Sequence, residues 1–354
     1  MKIRSVTLFV SSGDSQRLRE RIFNLGSMLS FNIESMFLSE SVWSTRVALP
    51  PLESQETPMK RASQLLDLNV VNYVSIGQVE DKHPALEEVA EVAENGLYVS
   101  INMRSVNSVK SVENVLRKAC EKNPSNGSKI CVNMGGEIVT PYFPSACNLH
   151  GEEGLAISLL YPSLLRHKLL SQFQDILAEV YASTEKVGLR LSERLGVNYY
   201  GIDASLSPWM EESVAEIVEF ASGVKIPLPG TFSTIREINS LIGNAVKTAG
   251  IKATGYNEVM LPVAEDNVLK ERVAAGDVKL RDLVHLASAC VSGVDMTVVS
   301  DDAPSRLIEG VLKDLFEISV LKGKAVGLRI IFAPAEPGEA VKLDFFEWTP
   351  VISP

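Results

Sequence analysis

Acidic side chains lie on or just after the strands that hydrophobic patterning predicts in the second half of the chain. Asp203 and Asp295 lie on predicted strands, over 199–204 and 295–299, and Glu265 comes just after another, over 256–262. Carboxylates gathered at one mouth of a barrel can divide acid and base roles, or bind a divalent cation through oxygen. We therefore take Asp203 and Glu265 as candidate catalytic residues and Asp295 as a candidate substrate-binding residue. The residues leave any metal or cofactor unidentified.

Helix capping is the structural alternative for several neighbouring residues. Asp266, Asp302 and Ser207 each stand before a predicted helix or a proline that opens one, where a side-chain oxygen accepts hydrogen bonds from free backbone N–H groups. Asp203 and Asp295 lie on strands, so capping explains them less well.

A long loop, GGEIVTPYFPSACNLHG (135–151), has no clear periodicity and carries several reactive groups. Loops of this length are often functional, and a cavity wall built from it would combine aromatic surface with hydrogen-bonding groups. His150 is a candidate general base because the imidazole pKa lies near neutrality. Tyr142, Phe143 and Ser145 are candidate substrate-binding residues, and Cys147 is left open as a nucleophile. The alternative is a packed connection whose prolines fix its path.

Hydroxyl groups complete the candidate substrate-binding set. Ser205 and Ser207 follow Asp203, and Thr231 opens a predicted helix, where N–H groups favour phosphate or carboxylate. A simple helix cap is the alternative for Thr231. GxGxxG, Walker A, HExxH and GxSxG patterns are absent, so the sequence does not support nucleotide-binding, zinc-protease or hydrolase motifs.

Alternating strand and helix patterns must position these residues. Apolar runs of strand length recur about ten times between helical segments, which predicts a mostly parallel sheet covered by helices. About ten strands are too many for a comfortable open sheet, so we expect one closed β/α barrel domain over residues 1–354. Its halves are about 1–160 and 196–354. A helix roughly 50 Å long, over about 162–195, lies between them.

The predicted long helix also suggests self-association. Its apolar face is longer than a sheet layer of roughly 30 Å can cover, so part of it is expected to pack on a second subunit. A homodimer or higher homo-oligomer is the simplest closed solution. The apolar face comprises Leu169, Phe173, Ile176, Val180 and Val187.

Composition narrows the partners and the compartment. The 354 residues carry a formal charge of −10, which disfavours nucleic-acid and anionic-membrane partners. The start, MKIRSVTLFV, predicts a first strand rather than a signal peptide. The four cysteines form no CxxC pair, so we expect reduced thiols, with at least Cys131 and Cys290 buried, and a cytoplasmic location.

Five segments in register resemble the uncharacterised protein family known as domain of unknown function 711. The resemblance covers nearly the whole chain and implies a ten-stranded β/α barrel like that of pyruvate formate-lyase and the other glycyl radical enzymes. It implies no particular activity. The segments are PYFPSACNLHGEEGLAISL (141–159), ERLGVNYYGIDASLSP (193–208), PLPGTFSTI (227–235), MLPVAED (260–266) and SGVDMTVVSDDAP (292–304).

Glycyl radical chemistry itself is not expected. Gly327 lies in an apolar strand pattern, where close packing explains a glycine, and Gly338 follows a proline in a predicted turn. Neither carries the surrounding motif of those enzymes. We expect instead an enzyme acting on a small anionic metabolite through carboxylates and hydroxyls, with a divalent metal as an option. The alternatives are a non-catalytic metabolite-binding or regulatory protein on the same barrel and, third, a ligand-free structural role.

Overall fold

Buried strands rich in branched apolar residues form the largest sheet of the computed structural model, which describes residues 2–11, 15–291 and 294–354. Eight strands hydrogen-bond in the order β7-β6-β1-β2-β3-β4-β5-β9. Neighbours are parallel except at the β1–β6 and β5–β9 pairs. The described strands are β1 Lys2–Phe9, β2 Thr45–Ala48, β3 Tyr73–Glu80, β4 Tyr98–Met103, β5 Ile130–Met134, β6 Gly154–Leu160, β7 Asn198–Asp203, β8 Thr297–Ser300, β9 Val326–Leu328, β10 Ile330–Ala333, β11 Ala340–Leu343 and β12 Phe346–Pro350.

The expected closed barrel of ten strands is wrong. The large sheet curls into a half-barrel, while β8–β10 and β11–β12 form separate two-stranded sheets. The predicted strand 256–262 makes isolated bridges only, at Val259 and Pro262. Its backbone is interrupted by Asn257 at φ 56°, and Pro262 has no N–H to donate to a ladder. The second half therefore continues the sheet through single bridges.

Helices cover the outer face of the sheet. Alternate strand residues such as Val6 and Leu8 point into one continuous apolar core shared with these helices. The described helices are α1 Ser15–Ser35, α2 Pro58–Ser63, α3 Glu88–Glu94, α4 Val109–Cys120, α5 Pro162–Leu165, α6 Phe173–Leu195, α7 Val214–Ser222, α8 Thr231–Ala249, α9 Asn267–Ala274, α10 Leu280–Leu286 and α11 Ser305–Lys322. None of them has the length and apolar character needed to cross a bilayer.

The predicted helix over 162–195 is two helices. The chain leaves helical geometry after α5, where Arg166 is extended and His167 has φ 57°. The 23 residues of α6 span about 34 Å. Phe173 and Val180 are buried within the chain, whereas Leu169 precedes α6 and is exposed. The argument for a second subunit from helix length is therefore wrong.

The inner face of the half-barrel is polar, and the chain covers it with its own loop. Side chains of this face include Ser5, Thr7, Ser75, Ser100, Cys131, Asn133 and Ser158, all buried. Thr7 Oγ1 donates to Pro141 O at 3.0 Å, and Ser75 Oγ donates to Ala146 O at 3.2 Å. Residues 140–148 are buried, with a cis peptide at Phe143–Pro144. The hydroxyls of Ser5, Thr7 and Ser75 thus donate to the backbone of the 135–151 loop.

The predictions for thiols and caps have mixed outcomes. All four cysteines are free and buried, as expected. Asp266 caps α9 and also accepts hydrogen bonds from Ser213, Val214 and Ala215 at the start of α7. The expected cap from Asp302 is wrong, because the N-cap of α11 is Pro304 and no side chain caps that helix.

Candidate functional site

A cavity of about 470 Å³ opens between the inner faces of β1 and β2 and the segments that precede β8 and β10. One wall comes from the 135–151 loop and another from the turn between β11 and β12. The lining comprises Arg4, Trp43, Ser44, Arg46, Tyr73, Tyr98, Ser128, Tyr142, Phe143, Ser207, Trp209, Met260, Pro262, Glu265, Asp295, Met296, Arg329, Phe345 and Phe346.

Two of the lining arginines are held by carboxylates. Arg4, on β1, forms a buried ion pair with Glu265 and donates to Pro208 O at 2.7 Å. Arg329, between β9 and β10, grips Asp295 through two nitrogens and donates to Glu265 Oε1 at 3.0 Å. Glu265 thus bridges two guanidinium groups from opposite ends of the chain.

This bridge fixes the charge state of Glu265. Burial alone raises the pKa of its carboxyl, but Arg4 and Arg329 outweigh burial and hold the pKa below its ordinary value of 4.5. Burial lowers the pKa of Arg329, but the charges of Asp295 and Glu265 outweigh burial and raise that pKa above its ordinary value. Glu265 is therefore ionised at neutral pH and has no proton to donate.

Arg46, on β2, is the third arginine and is compensated differently. Its Nε donates to Ser44 Oγ at 3.1 Å, and its guanidinium lies 5.2 Å from the Phe143 ring and 5.6 Å from the Tyr73 ring. Among the described residues it has no carboxylate within ion-pair distance. Burial, and then the charge of Arg4, lower the pKa of Arg46 to about 10. Within the described part of the chain Arg46 is a buried cation that forms no ion pair, although the charge of Glu265 acts on it.

Two tyrosines stand beside Arg46. The rings of Tyr73 and Tyr98 meet edge to face with centroids 5.5 Å apart. Within the part of the chain that the structure describes, neither hydroxyl has a hydrogen-bond partner. Burial, followed by Tyr73, raises the pKa of Tyr98 to about 12, so its hydroxyl keeps its proton at neutral pH. Both phenols can donate a hydrogen bond to a ligand in the cavity.

The structure brings five of the predicted site residues to this cavity. Glu265 and Asp295 supply its carboxylates, and Tyr142 and Phe143 bring the 135–151 loop to it. Ser207 lines it as well, and its hydroxyl accepts a hydrogen bond from Tyr142 Oη at 3.1 Å. Ser207 caps no helix.

Asp203 and Ser205 do not line the cavity. The Asp203 carboxylate is fully buried behind it and accepts hydrogen bonds from Thr140 Oγ1 at 2.8 Å, Ser205 Oγ at 2.6 Å and three backbone N–H groups. The backbone donors include Tyr256, at the turn after Gly255. Burial raises the pKa of Asp203 against these hydrogen bonds. Asp203 thereby joins β7, the loop and the 255–257 turn.

The three remaining predicted residues also lie away from the cavity lining. His150 is exposed and packs on Tyr200, with ring centroids 4.3 Å apart. Ser145 Oγ donates to Asn133 Oδ1 at 2.9 Å on the inner face. Thr231, the first residue of α8, donates through Oγ1 to Leu228 O at 2.9 Å.

The sequence analysis missed the arginines, although a signal for them exists. Arg4 lies inside KIRSVTLF, Arg46 inside TRVA, and Arg329 stands between VGL and IIFA. An arginine within an apolar strand pattern is rarely buried without a specific partner or role. A search for such misplaced cations would have found all three.

The described residues contain no group of three or more histidine, cysteine, aspartate or glutamate side chains arranged to hold a metal ion. The proposed convergence of Asp203 and Glu265 on a cation does not occur, because Asp203 is held behind the cavity wall. Ser292 and Gly293, which begin the SGVDMTVVSDDAP segment, lie outside the described residues.

This chain is similar to several proteins that bear the name UPF0210 protein. A UPF0210 protein of Methanopyrus kandleri is 39% identical over 166 residues, 45% of this chain and 36% of that protein. One from Sulfurisphaera tokodaii is 27% identical over 70% of this chain and 59% of its own length. One from Lactiplantibacillus plantarum is 24% identical over 97% of this chain and 88% of its own length. The aligned segments thus cover less than two thirds of the first two relatives.

A family model also matches this chain. The model described as Uncharacterised ACR (DUF711) matches residues 72–344, which is most of the chain. The match takes in the 135–151 loop and most of the cavity, but leaves Arg4 and Arg46 before its first residue. The chain belongs to the DUF711 family.

Proposed function

We propose that this protein binds a small organic anion in the cavity, with Arg46 as the group that holds the negative charge, and acts on it as an enzyme. The observation that carries the proposal is the buried guanidinium of Arg46, which lacks a carboxylate partner among the described residues. Burying an unpaired charge is costly, so a site that keeps one is adapted to an anion that arrives with the ligand.

The charge balance of the lining supports one negative charge on the ligand. Three arginines and two acidic residues line the described cavity, which leaves one positive charge in excess. Arg4 and Arg329 are already engaged by Glu265 and Asp295. The phenols of Tyr73 and Tyr98 supply further donors next to Arg46.

An enzyme is favoured because titratable groups of both signs lie within reach of one another in a single cavity. In such a reaction Tyr98 would donate a proton, and ionised Glu265 would orient Arg4 and Arg329 or stabilise positive charge that develops on the substrate. Non-catalytic binding is the second candidate. One observation favours it: Arg4 and Arg329 hold the pKa of Glu265 below its ordinary value, which makes this carboxylate a weak base.

The test measures stabilisation of the purified protein by acetate, lactate and inorganic phosphate. We expect the carboxylates to raise the melting temperature of the wild type. Arg46→Met should weaken their binding about 30-fold or more, because a buried charge pair loses one member. Arg117→Met is the matched control, since Arg117 stacks on Phe332 and pairs with Glu113 outside the cavity.

Equal stabilisation of Arg46→Met and wild type would refute the anion site. Turnover separates the two candidates: conversion of a bound anion that is lost in Tyr98→Phe with binding retained indicates an enzyme.

A homodimer and a cytoplasmic location also remain proposals. Light scattering at high protein concentration tests the dimer, and a monomer there would refute it.

A further inference from the structure

We infer that the ligand is a monoanion with a flat, apolar body, as in an aryl or indolyl carboxylate. This inference rests on the proposed anion site and adds the chemical class of the ligand. The cavity combines Arg46, which has no carboxylate partner among the described residues, with an aromatic wall formed by Trp43, Tyr73, Tyr98, Tyr142, Phe143, Trp209, Phe345 and Phe346. A small carboxylate such as acetate would pair with Arg46 and leave the aromatic wall in contact with water.

The aromatic wall consists of two groups of rings, one beside Arg46 and one beside Arg4. Phe143 lies 5.3 Å from Tyr98 between ring centroids, beside Arg46. At the other side Trp43 and Trp209 meet edge to face at 4.4 Å, and Trp209 lies 5.5 Å from Phe346. Rings prefer such edge-to-face and offset contacts, so an aromatic ligand can add to either group. The Arg4 guanidinium already lies 5.4 Å from the Trp43 ring and 5.5 Å from the Trp209 ring.

Part of this wall is exposed to solvent. Trp43 is 41% exposed and Phe345 is 57% exposed. Large aromatic side chains that line a concave site are unfavourably hydrated until a ligand covers them. Their position beside Met260, Met296 and Pro262 gives an apolar body a surface on more than one side.

The polar groups of the cavity argue against a strongly charged ligand. The guanidinium N–H groups of Arg4 and Arg329 already donate hydrogen bonds to Glu265, Asp295 and Pro208 O. A phosphate dianion would need one of these ion pairs to break, because a single free guanidinium compensates a single charge. A carboxylate matches the planar fork of Arg46 without disturbing the other pairs.

The experiment compares four probes by calorimetry: acetate, phenylacetate, phenylphosphate and the neutral phenylacetamide. We expect phenylacetate to bind about 10- to 100-fold more tightly than acetate, because burial of the ring adds to the ion pair. Phenylacetamide should bind at least about 30-fold more weakly than phenylacetate. Arg46→Met should abolish the difference between these two.

Variants at the wall test the apolar contact separately from the charge. Phe345→Ser, at an exposed position, should reduce the preference for phenylacetate over acetate about 3- to 10-fold. Trp348→Leu is its control, because Trp348 is similarly exposed but lies outside the described lining. Trp348→Leu should leave the affinities for acetate and for phenylacetate unchanged.

The outcomes separate this inference from the proposed function. Equal, Arg46-dependent binding of acetate and phenylacetate would overturn the apolar body and leave the anion site standing. Phenylphosphate binding as tightly as phenylacetate would overturn the monoanion. Carboxylate binding that is absent or unaffected by Arg46→Met would overturn both proposals.

Discussion

Arg4 and Arg46 are buried and Arg329 is half-buried, and the three arginines of the cavity are compensated unequally. Arg329 touches two carboxylates, and Arg46 touches a serine hydroxyl and two aromatic rings. Breaking a buried ion pair leaves an uncompensated charge, whereas removing an unpaired charge relieves one. The two residues should therefore respond oppositely to the same substitution.

Arg46→Met is expected to leave the free energy of unfolding unchanged or raise it by up to about 1 kcal/mol. Arg329→Met should lower it by about 3–5 kcal/mol, because Asp295 is left buried without its cation. Urea denaturation of both variants measures the contrast. A loss in Arg46→Met as large as that in Arg329→Met would assign Arg46 a structural role.

Glu265 should make stability depend on acid pH. Its pKa in the folded protein lies below 4.5, so the stability contributed by its ionised form is present above about pH 4.5. That stability is lost as the pH falls through the folded-state pKa. Urea midpoints measured from pH 7 down to pH 3 should fall more steeply in the wild type than in Glu265→Gln. Parallel curves would show that Glu265 is not the titrating group.

Asp203 is expected to matter for folding and not for the ligand. Asp203→Ala leaves several buried donors without an acceptor and should lower the free energy of unfolding by about 2–4 kcal/mol. Ser205→Ala removes one of those donors and should cost about 1 kcal/mol. Carboxylate affinity, measured where both variants are folded, should match the wild type. A selective loss of affinity in Asp203→Ala would return this residue to the site.

The types and sequence positions of acidic residues do not by themselves determine their chemistry. Asp203 and Glu265 look alike in the sequence, since both are acids near the ends of strand-like runs. Their roles are decided by neighbours from distant segments: Thr140 and Tyr256 donate to one, and Arg4 and Arg329 bind the other. Strand patterns predict where an acid lies along the chain, but not what faces it.

Among the elements, the junction of α7 and α9 depends on a single carboxylate. Asp266 accepts hydrogen bonds from Val268 and Leu269 at the start of α9, and from Val214 and Ala215 at the start of α7. The sequence predicted the local cap from the residue preceding a helix. The second cap was not predictable, because α7 reaches Asp266 only through the tertiary fold.

Asp266→Ala should therefore cost about twice a normal cap, about 2–4 kcal/mol in the free energy of unfolding. Asp266→Asn keeps one acceptor oxygen and should cost less than half of that. Chemical denaturation compares the two variants. A cost near 1 kcal/mol for Asp266→Ala would mean that only one helix uses this cap.

Element boundaries were predicted least well where the backbone departs from its pattern. Apolar spacing continues through the break between α5 and α6, yet His167 adopts φ 57° and ends the helical run. Similarly, the apolar pattern alone predicted a strand over 256–262, which Asn257 and Pro262 interrupt. Periodicity records which side chains are buried, and a bend or single bridge can bury the same side chains.

For the whole molecule, the buried thiols offer a measure of cooperative opening. Cys120, Cys131, Cys147 and Cys290 lie in both halves of the chain. Burial raises the pKa of Cys120 and Cys131 to about 11 and that of Cys147 and Cys290 to about 12. Thiolate formation and access are both suppressed while the chain is folded.

We expect native protein to react with a disulfide reagent at pH 8 at least about 100-fold more slowly than unfolded protein, with all four thiols reacting in one phase. Mass spectrometry of partly labelled samples would show chains with no label or four. Chains carrying one or two labels would indicate that a region opens independently. Exposed model peptides containing cysteine serve as the reactivity control.

The α/β class and the inward course of the 135–151 loop could be anticipated from the sequence, but barrel closure could not. Closure depends on ladder hydrogen bonds between segments far apart in the chain, such as those near Gly201 and Ala253. Side-chain patterning does not report these bonds.

The 135–151 loop fills the interior of this fold, and a different loop could replace it there. The inner face beneath it is built of serine, threonine and asparagine side chains, and the loop backbone takes the place that water or a ligand would otherwise occupy. A shortened loop would uncover a hydrophilic trough in place of the aromatic wall formed by Tyr142 and Phe143. Such a protein, on the same sheet, would select hydrated, hydroxyl-rich molecules, so ligand preference in this scaffold can change without any change in its strands.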